Sequence, residues 1–284
     1  MATFTNQATL SYNGYTTNSN VVTGEILEVL SATKTAVPEE YRAGDALTYV
    51  VSIVNSGTTP FSGLTLTDDL GTYPFGDGTL TPLDYVDGSV RYYVNGVQQA
   101  APAVIAGPPM TISGISVPAG GNAMIIYNAL PNGYAPLGVN DVINNEVTVT
   151  GGGLANAITA QETVTAAADA RLTISKALSP AAVAENGQLT YTFVIQNTGN
   201  TEAIATDNVT VTDLFDPVLN PISVTYNGTG WTAGTQYTYD PTTGQFATVP
   251  GRITVPAATY TQDPISGLWT MEPGVSILTV TGIV

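Results

Sequence analysis

The sequence predicts an all-β chain made of two tandem β-sandwiches, the second short of its last strand, preceded by a strand with no domain of its own. Three observations point there. Thr, Val, Ala, Gly and Pro dominate while no long stretch keeps a helical period; the chain aligns on itself as two copies of one unit; and a strand-like alternation opens a chain whose second copy stops early. At 284 residues the length accommodates two domains, each able to bury a core. There are no cysteines and no histidines, which excludes disulfides, thiol nucleophiles, Cys/His metal sites and imidazole proton relays. The formal charge of −16, from 22 acidic against 6 basic residues, argues against nucleic acid or an anionic membrane as partner, since both require basic patches. No apolar run approaches the ~18 residues of a membrane span, and Met1–Gln7 has neither the basic nor the apolar region of a signal peptide.

Residues 1–27 read as an N-terminal arm and linker. Phe4, Asn6, Ala8, Leu10 and Tyr12 fall on one side and Thr3, Thr5, Gln7, Thr9 and Ser11 on the other, the period of a half-buried strand. Ile143, Asn145, Val147 and Val149 repeat that pattern where the first domain, residues 28–151, closes. The repeat itself is explicit. Lys34–Tyr49 and Lys176–Tyr191 lie 142 positions apart and continue without a gap into VVSIVNSGT and TFVIQNTGN. Leu64–Asp68 (LTLTD) then matches Val209–Asp213 (VTVTD), Ser89–Tyr92 matches Ser223–Tyr226, and Pro118–Leu130 matches Glu272–Val284. The second domain, residues 171–284, therefore lacks a counterpart of residues 131–151. Residues 152–170 read as a junction with a Gly-rich start, one possible strand and an Ala-rich end. Asn95-Gly96 marks a tight hairpin, and Asp240–Gly244 and Asp263–Gly267 mark longer ones. Asn6 precedes Lys34 by 28 residues and Asn145 precedes Lys176 by 31, so the arm and the internal junction are built alike.

The two lysines of the protein, Lys34 and Lys176, occupy the same position in both copies. Each alternates with apolar neighbours, Leu30, Ala32 and Ala36 in one copy and Leu172, Ile174 and Leu178 in the other, so each amine points to an apolar face where a charge is costly. Asp68 shares its face with Leu64, Leu66 and Leu70, and Asp213 shares one with Val209, Val211 and Phe215. Asn145 adds a carboxamide to the first interior. An inward amine, carboxyl and carboxamide are the reactants of an intramolecular isopeptide bond, because burial favours a neutral amine and a protonated acid, and close placement replaces a bimolecular encounter. The expected bonds are Lys34 to Asn145 within one chain, assisted by Asp68, and Lys176 to Asn6 between chains, assisted by Asp213. The donor strand is Phe4, Asn6, Ala8, Leu10 and Tyr12, seated in a neighbouring copy's second domain, which makes the chain its own partner in an open head-to-tail polymer. Each bond forms once, so no enzymatic turnover is expected. No cofactor is expected; Asp77, Asp84 and Asp87, and Asp207 with Asp213 and Asp216, are the acidic clusters that calcium would use.

The run from Lys34 through GDALTYVVSIVNSGT to LTLTDDL, repeated as Lys176 through NGQLTYTFVIQNTGN to VTVTDLF, resembles the conserved-repeat domain called domain of unknown function 11. That resemblance implies immunoglobulin-like sandwiches of prokaryotic surface proteins, with a lysine near the start and an asparagine near the end of each. They are similar in logic to the isopeptide-bonded domains of Gram-positive pilins and adhesins. The second copy departs by lacking its asparagine strand, and the N-terminus departs by beginning with one. The expected function is a self-assembling, pilus-like fibre subunit at a prokaryotic cell or spore surface. The alternatives are an adhesin holding a glycan or host protein in its loops, and a hydrolase using paired carboxylates.

Overall fold

A computed structural model describes residues 2–284; Met1, the first residue of the expected arm, lies outside them. Among the described residues the chain is strands and turns, with one 3-10 turn at Ala205–Asp207. It divides into two compact units, residues up to Pro136 with Val142–Thr165, and Leu137–Asp141 with Ala166–Val284.

The first unit is a sandwich of two antiparallel sheets. One runs Val97–Gln98, Arg91–Val94, Asn122–Pro131, Leu47–Asn55 and Leu30–Val37; the other runs Ala103–Ile105, Met110–Val117, Phe61–Asp68, Val142–Gly151, Ile158–Ala166 and Glu40–Tyr41. Period-two patterning builds it: Leu47, Tyr49, Val51 and Ile53 all point inward and are fully buried, as are Leu64 and Leu66 from the facing sheet. The strand Leu47–Asn55 ends on a buried asparagine whose amide donates to the carbonyls of Thr59 and Pro118 at 2.8 and 2.9 Å, while its Oδ1 accepts from Gly57 N. Asn197 locks the second unit in the same way, through Thr201, Pro256 and Gly199. The shared N-(S/T)-G motif is therefore a turn clamp. Gly57 is required there because a Cβ would lie 2.8 Å from the Val29 side chain.

The N-terminal arm differs from the lone strand expected over residues 3–12. Ala2–Asn6 pairs with Val22–Ile26, and Thr9–Tyr12 pairs with Tyr15–Asn18, so residues 2–26 form one antiparallel hairpin. Its turn is Asn13-Gly14, both residues at positive φ (46° and 80°), the type I′ geometry that suits the twist of two strands. Ser19–Val21 face the two residues Gln7 and Ala8, a bulge held by Ser19 N to Ala8 O at 2.9 Å and Gln7 Nε2 to Ser19 O at 2.8 Å. Among the described residues the hairpin pairs only with itself, and Phe4, Leu10, Tyr12 and Tyr15 are exposed. Asn6, expected on an unpaired strand, has Val22 as its partner.

The second unit has one full sheet, Leu172–Ser179, Gln188–Asn197, Gly274–Ile283, Ile222–Tyr226 and Thr229–Trp231. Its facing sheet is reduced to Thr212–Leu214, Gln245–Thr248 and Tyr237–Tyr239. The core between them is aromatic, with Phe193, Phe215, Tyr237 and Phe246 packed against Leu219, Leu278 and Val280. Thr212–Leu214 pairs on one side only, where its counterpart Phe61–Asp68 is flanked on both. The closing strands align one residue away from the expected match, since Tyr127 pairs with Tyr49 and Val280, not Thr281, pairs with Tyr191.

Candidate cross-linking sites

In the first unit Lys34 sits mid-strand on Leu30–Val37 and its Nζ donates to Asp68 Oδ2 at 2.9 Å, with both side chains wholly buried. Asp68 ends the strand Phe61–Asp68. Its Oδ1 accepts from Leu70 N at 2.8 Å, and its Oδ2 also accepts from the Tyr127 hydroxyl. Leu70 holds a left-handed φ of 55°, which costs a leucine on the order of 1 kcal/mol and aims its N–H at the carboxylate. The next acid, Asp69, faces another way: its Oδ1 accepts from Gly71 N and Glu146 N and caps the turn.

Asn145 lies on Val142–Gly151, which pairs with the Asp68 strand through Val147 opposite Asp68 and approaches the Lys34 strand to within 8 Å between Cα atoms. Its side chain is fully buried, and neither Nδ2 nor Oδ1 has a hydrogen-bond partner. Two orphaned polar atoms at one buried residue cost roughly 1–3 kcal/mol each. Tyr49 and Tyr127, stacked at 5.5 Å, form the floor, with Lys34 Nζ 4.8 Å from the Tyr49 ring centre. Burial pushes the Tyr49 hydroxyl well above its ordinary value, with the adjacent Asn145 carboxamide pulling the other way, yet that hydroxyl too completes no hydrogen bond. Burial, then the charge of Asp68, drives the Tyr127 hydroxyl up, so it stays a donor. Burial holds the Lys34 amine below the usual lysine range, against the attraction of Asp68.

These contacts bring together Lys34, Asp68 and the two tyrosines, with Asn145 against the tyrosines and unpaired. Tyr49 and Tyr127 were not singled out as site residues from sequence. The alternation Ala123, Ile125, Tyr127, Ala129 points Tyr127 inward, but nothing in a strand pattern separates a core ring from one whose hydroxyl is used.

The second unit repeats the pair in the open. Lys176 Nζ makes an ion-pair contact with Asp213 Oδ2 without hydrogen-bond alignment, and it lies 4.3 Å from the Tyr191 ring centre. Here the lysine side chain is 40% and the aspartate 18% exposed, against 0% for both in the first unit. The same holds along the strand: Ile174 and Leu178 are 55% and 44% exposed, whereas Ala36, which matches Leu178, is buried. Val280 stands where Tyr127 would, so no hydroxyl reaches Asp213 from that strand. Asn6 lies on the exposed N-terminal hairpin, which belongs to the first unit. As for calcium, among the described residues no three acidic side chains converge as a metal site requires.

No protein-family model and no curated protein matches the sequence. Solved structures match it weakly. The major pilin subunit BcpA of Bacillus cereus aligns with 96% of this chain and 73% of its own at 9% identity and a TM-score of 0.37. The pilus backbone protein RrgB of Streptococcus pneumoniae aligns with 86% of this chain at 11% identity and a TM-score of 0.35, and this chain spans 55% of that structure. The collagen-binding domain of a Staphylococcus aureus adhesin aligns over 50% of this chain and 99% of its own, at 13% identity and a TM-score of 0.32. At such scores none of these likenesses bears on what this chain does; its own residues do.

Proposed function

We propose that the chain is the structural subunit of a prokaryotic surface fibre, polymerising head to tail by donating its N-terminal segment to the second domain of the next copy. Isopeptide bonds then fix both the domain and the joint. One observation carries this reading: the same Lys–Asp pair occurs wholly buried in a domain that also buries an unsatisfied asparagine, and part-exposed at its lysine beside an unpaired sheet edge in the other. As a non-covalent arrangement the buried set is a poor use of a core, since a buried ion pair seldom adds stability and the Asn145 carboxamide subtracts from it.

As a reacting set it is coherent. Lys34 Nζ attacks Asn145 Cγ, the Cγ–Nδ2 bond breaks, and ammonia leaves. One proton passes from Nζ to Nδ2 in the process, and Asp68, already touching Nζ, is the group placed to carry it. Tyr127 orients that carboxyl by its hydrogen bond. In the second unit Lys176 and Asp213 would perform the same step on Asn6 of another copy. Each site reacts once, so this is maturation and not turnover.

The adhesin alternative calls for an aromatic groove. The aromatic residues among the large exposed apolar side chains are Phe4, Tyr12 and Tyr15, all on the hairpin, and the cavity of about 420 Å³ lined by Ile26–Ala32 and Gly153–Thr159 has Phe61 as its single aromatic. Boiled, denatured protein tests the fibre reading: a ladder of multimers lost in Asn6→Ala and Lys176→Ala supports it, and monomer alone contradicts it.

A further inference from the structure

The first unit shows what a completed second sheet contains. Beside the Asp68 strand lie two further strands, Val142–Gly151 and Ile158–Ala166, which form one hairpin with Ile143 opposite Val164 and Asn145 opposite Glu162. The outer strand of that hairpin carries the short strand Glu40–Tyr41 on its far edge, tied by Thr165 N to Glu39 O at 3.0 Å. Tyr41 is fully buried there.

Among the described residues the second unit shows no counterpart of these strands. Thr212–Leu214 has an open edge, and the residues matching Glu40–Tyr41, Ala182 and Val183, form no strand. The gap is two strands wide, because the second docking segment sits one strand beyond the first. A single donated strand would leave Ala182–Val183 without a neighbour.

The N-terminal segment has the matching width. Residues 2–26 are themselves a two-stranded hairpin, with Asn6 opposite Val22 as Asn145 is opposite Glu162. The face patterns coincide when Asn6 is laid on Asn145: Phe4 falls on Ile143, Ala8 on Val147, Thr9 on Thr148 and Leu10 on Val149.

We infer that the occupant of the second unit's open sheet is the whole hairpin of residues 2–26 from a second copy, inserted as one piece in a fixed register. The first strand takes the edge of the Asp213 strand. Since Val147 pairs with Asp68, Thr148 with Thr67 and Val149 with Leu66, the register is Ala8 to Asp213, Thr9 to Thr212 and Leu10 to Val211. The return strand takes Ala181–Val183, with Glu25 at the place of Thr165. Period two makes this register exclusive, because a slip of one residue turns Phe4, Asn6 and Leu10 out of the core and Asn6 away from Lys176. This inference rests on the strand-donation reading and adds the return strand, the register and the second docking segment to it.

Engineered cysteines test it cleanly, because the chain has none. In an Asn6→Ala background, which removes the isopeptide ladder, Thr9→Cys with Thr212→Cys probes the first strand and Glu25→Cys with Ala181→Cys probes the second. The hairpin inference predicts a reductant-sensitive ladder from both pairs after mild oxidation with copper phenanthroline, and none from Thr9→Cys with Ser175→Cys. It also predicts that amide hydrogen exchange at Ala182–Val183 slows at least tenfold in multimers over monomers. A ladder from the first pair alone, with Ala182–Val183 still exchanging freely, overturns hairpin insertion while strand donation survives. Light scattering that finds multimers while neither pair cross-links overturns the register, and monomer throughout overturns strand donation itself.

Discussion

Replacing Asn145 by alanine changes the stability of the first unit with a sign that depends on whether the cross-link exists. Without a bond to Lys34, the carboxamide is a fully buried side chain whose two polar atoms are both unsatisfied, each costing roughly 1–3 kcal/mol. Asn145→Ala would then relieve a penalty and stabilise the unit or leave it unchanged, apart from a small cavity. With the bond formed, the substitution removes a tie that closes a loop from Lys34 to Asn145. By the chain-entropy scale for cross-links, a loop of about 100 residues is worth on the order of 5 kcal/mol. At about 2–4 °C per kcal/mol for a unit of this size, the variant should melt roughly 10–20 °C lower. Differential scanning calorimetry reads the shift, and intact-mass spectrometry reads the chemistry, with wild type lighter than its sequence by one ammonia for this bond. A wild-type mass equal to the sequence mass, or an Asn145→Ala variant that melts at or above wild type, refutes the reasoning.

Other outcomes follow from the same contacts. Tyr127→Phe removes one hydrogen bond to Asp68 and should slow formation of the internal bond about 10- to 100-fold, the kinetic equivalent of a charge-assisted bond of ~1.5–3 kcal/mol, while Asp68→Asn should slow it ~10²–10⁴-fold as loss of the proton carrier; mass against time after refolding measures both. In Asn145→Ala, where Lys34 stays a free amine, burial keeps its folded pKa below the unfolded value of about 10.4. The unfolded chain then binds more protons across that window, so stability should rise with pH until it passes the unfolded value, a dependence that cross-linked wild type lacks and that chemical denaturation at several pH values would show. Asn6→Ala should abolish the multimer ladder yet leave the internal mass loss intact.

Much of this was legible in the residues. Two lysines at one repeat position, on apolar faces, and one acid per copy sharing such a face led to the Lys34–Asp68 and Lys176–Asp213 contacts, because strand alternation fixes which side chains meet. The arm was less legible. Asn13-Gly14 carries the same turn signal as Asn95-Gly96, but Thr16–Asn20 is wholly polar and only Val22 and Ile26 resume the alternation, so no continuous hydrophobic pattern marks Tyr15–Ile26 as a strand. Ile158–Ala166 reads from sequence as no more than a possible strand of the junction, because Glu162 interrupts the apolar side of Ile158, Ala160 and Val164 that would mark it as part of the first sandwich. The role of Tyr127 is not legible in the sequence, because a strand pattern gives the direction of a ring and not the use of its hydroxyl. The register of the last strand is not fixed by sequence, since Gly274–Ile283 and Asn122–Pro131 share little beyond alternation, and only backbone pairing with Tyr49 and Tyr191 sets it.

Peptide mass mapping of boiled, electrophoretically separated protein bears most directly on the claim that one domain is closed within the chain and the other between chains. It should find Lys34 joined to Asn145 in every species, monomer included, and Lys176 joined to Asn6 in multimers alone. Recovery of the Asn6 and Lys176 peptides unmodified from a chain that migrates only as monomer would contradict it.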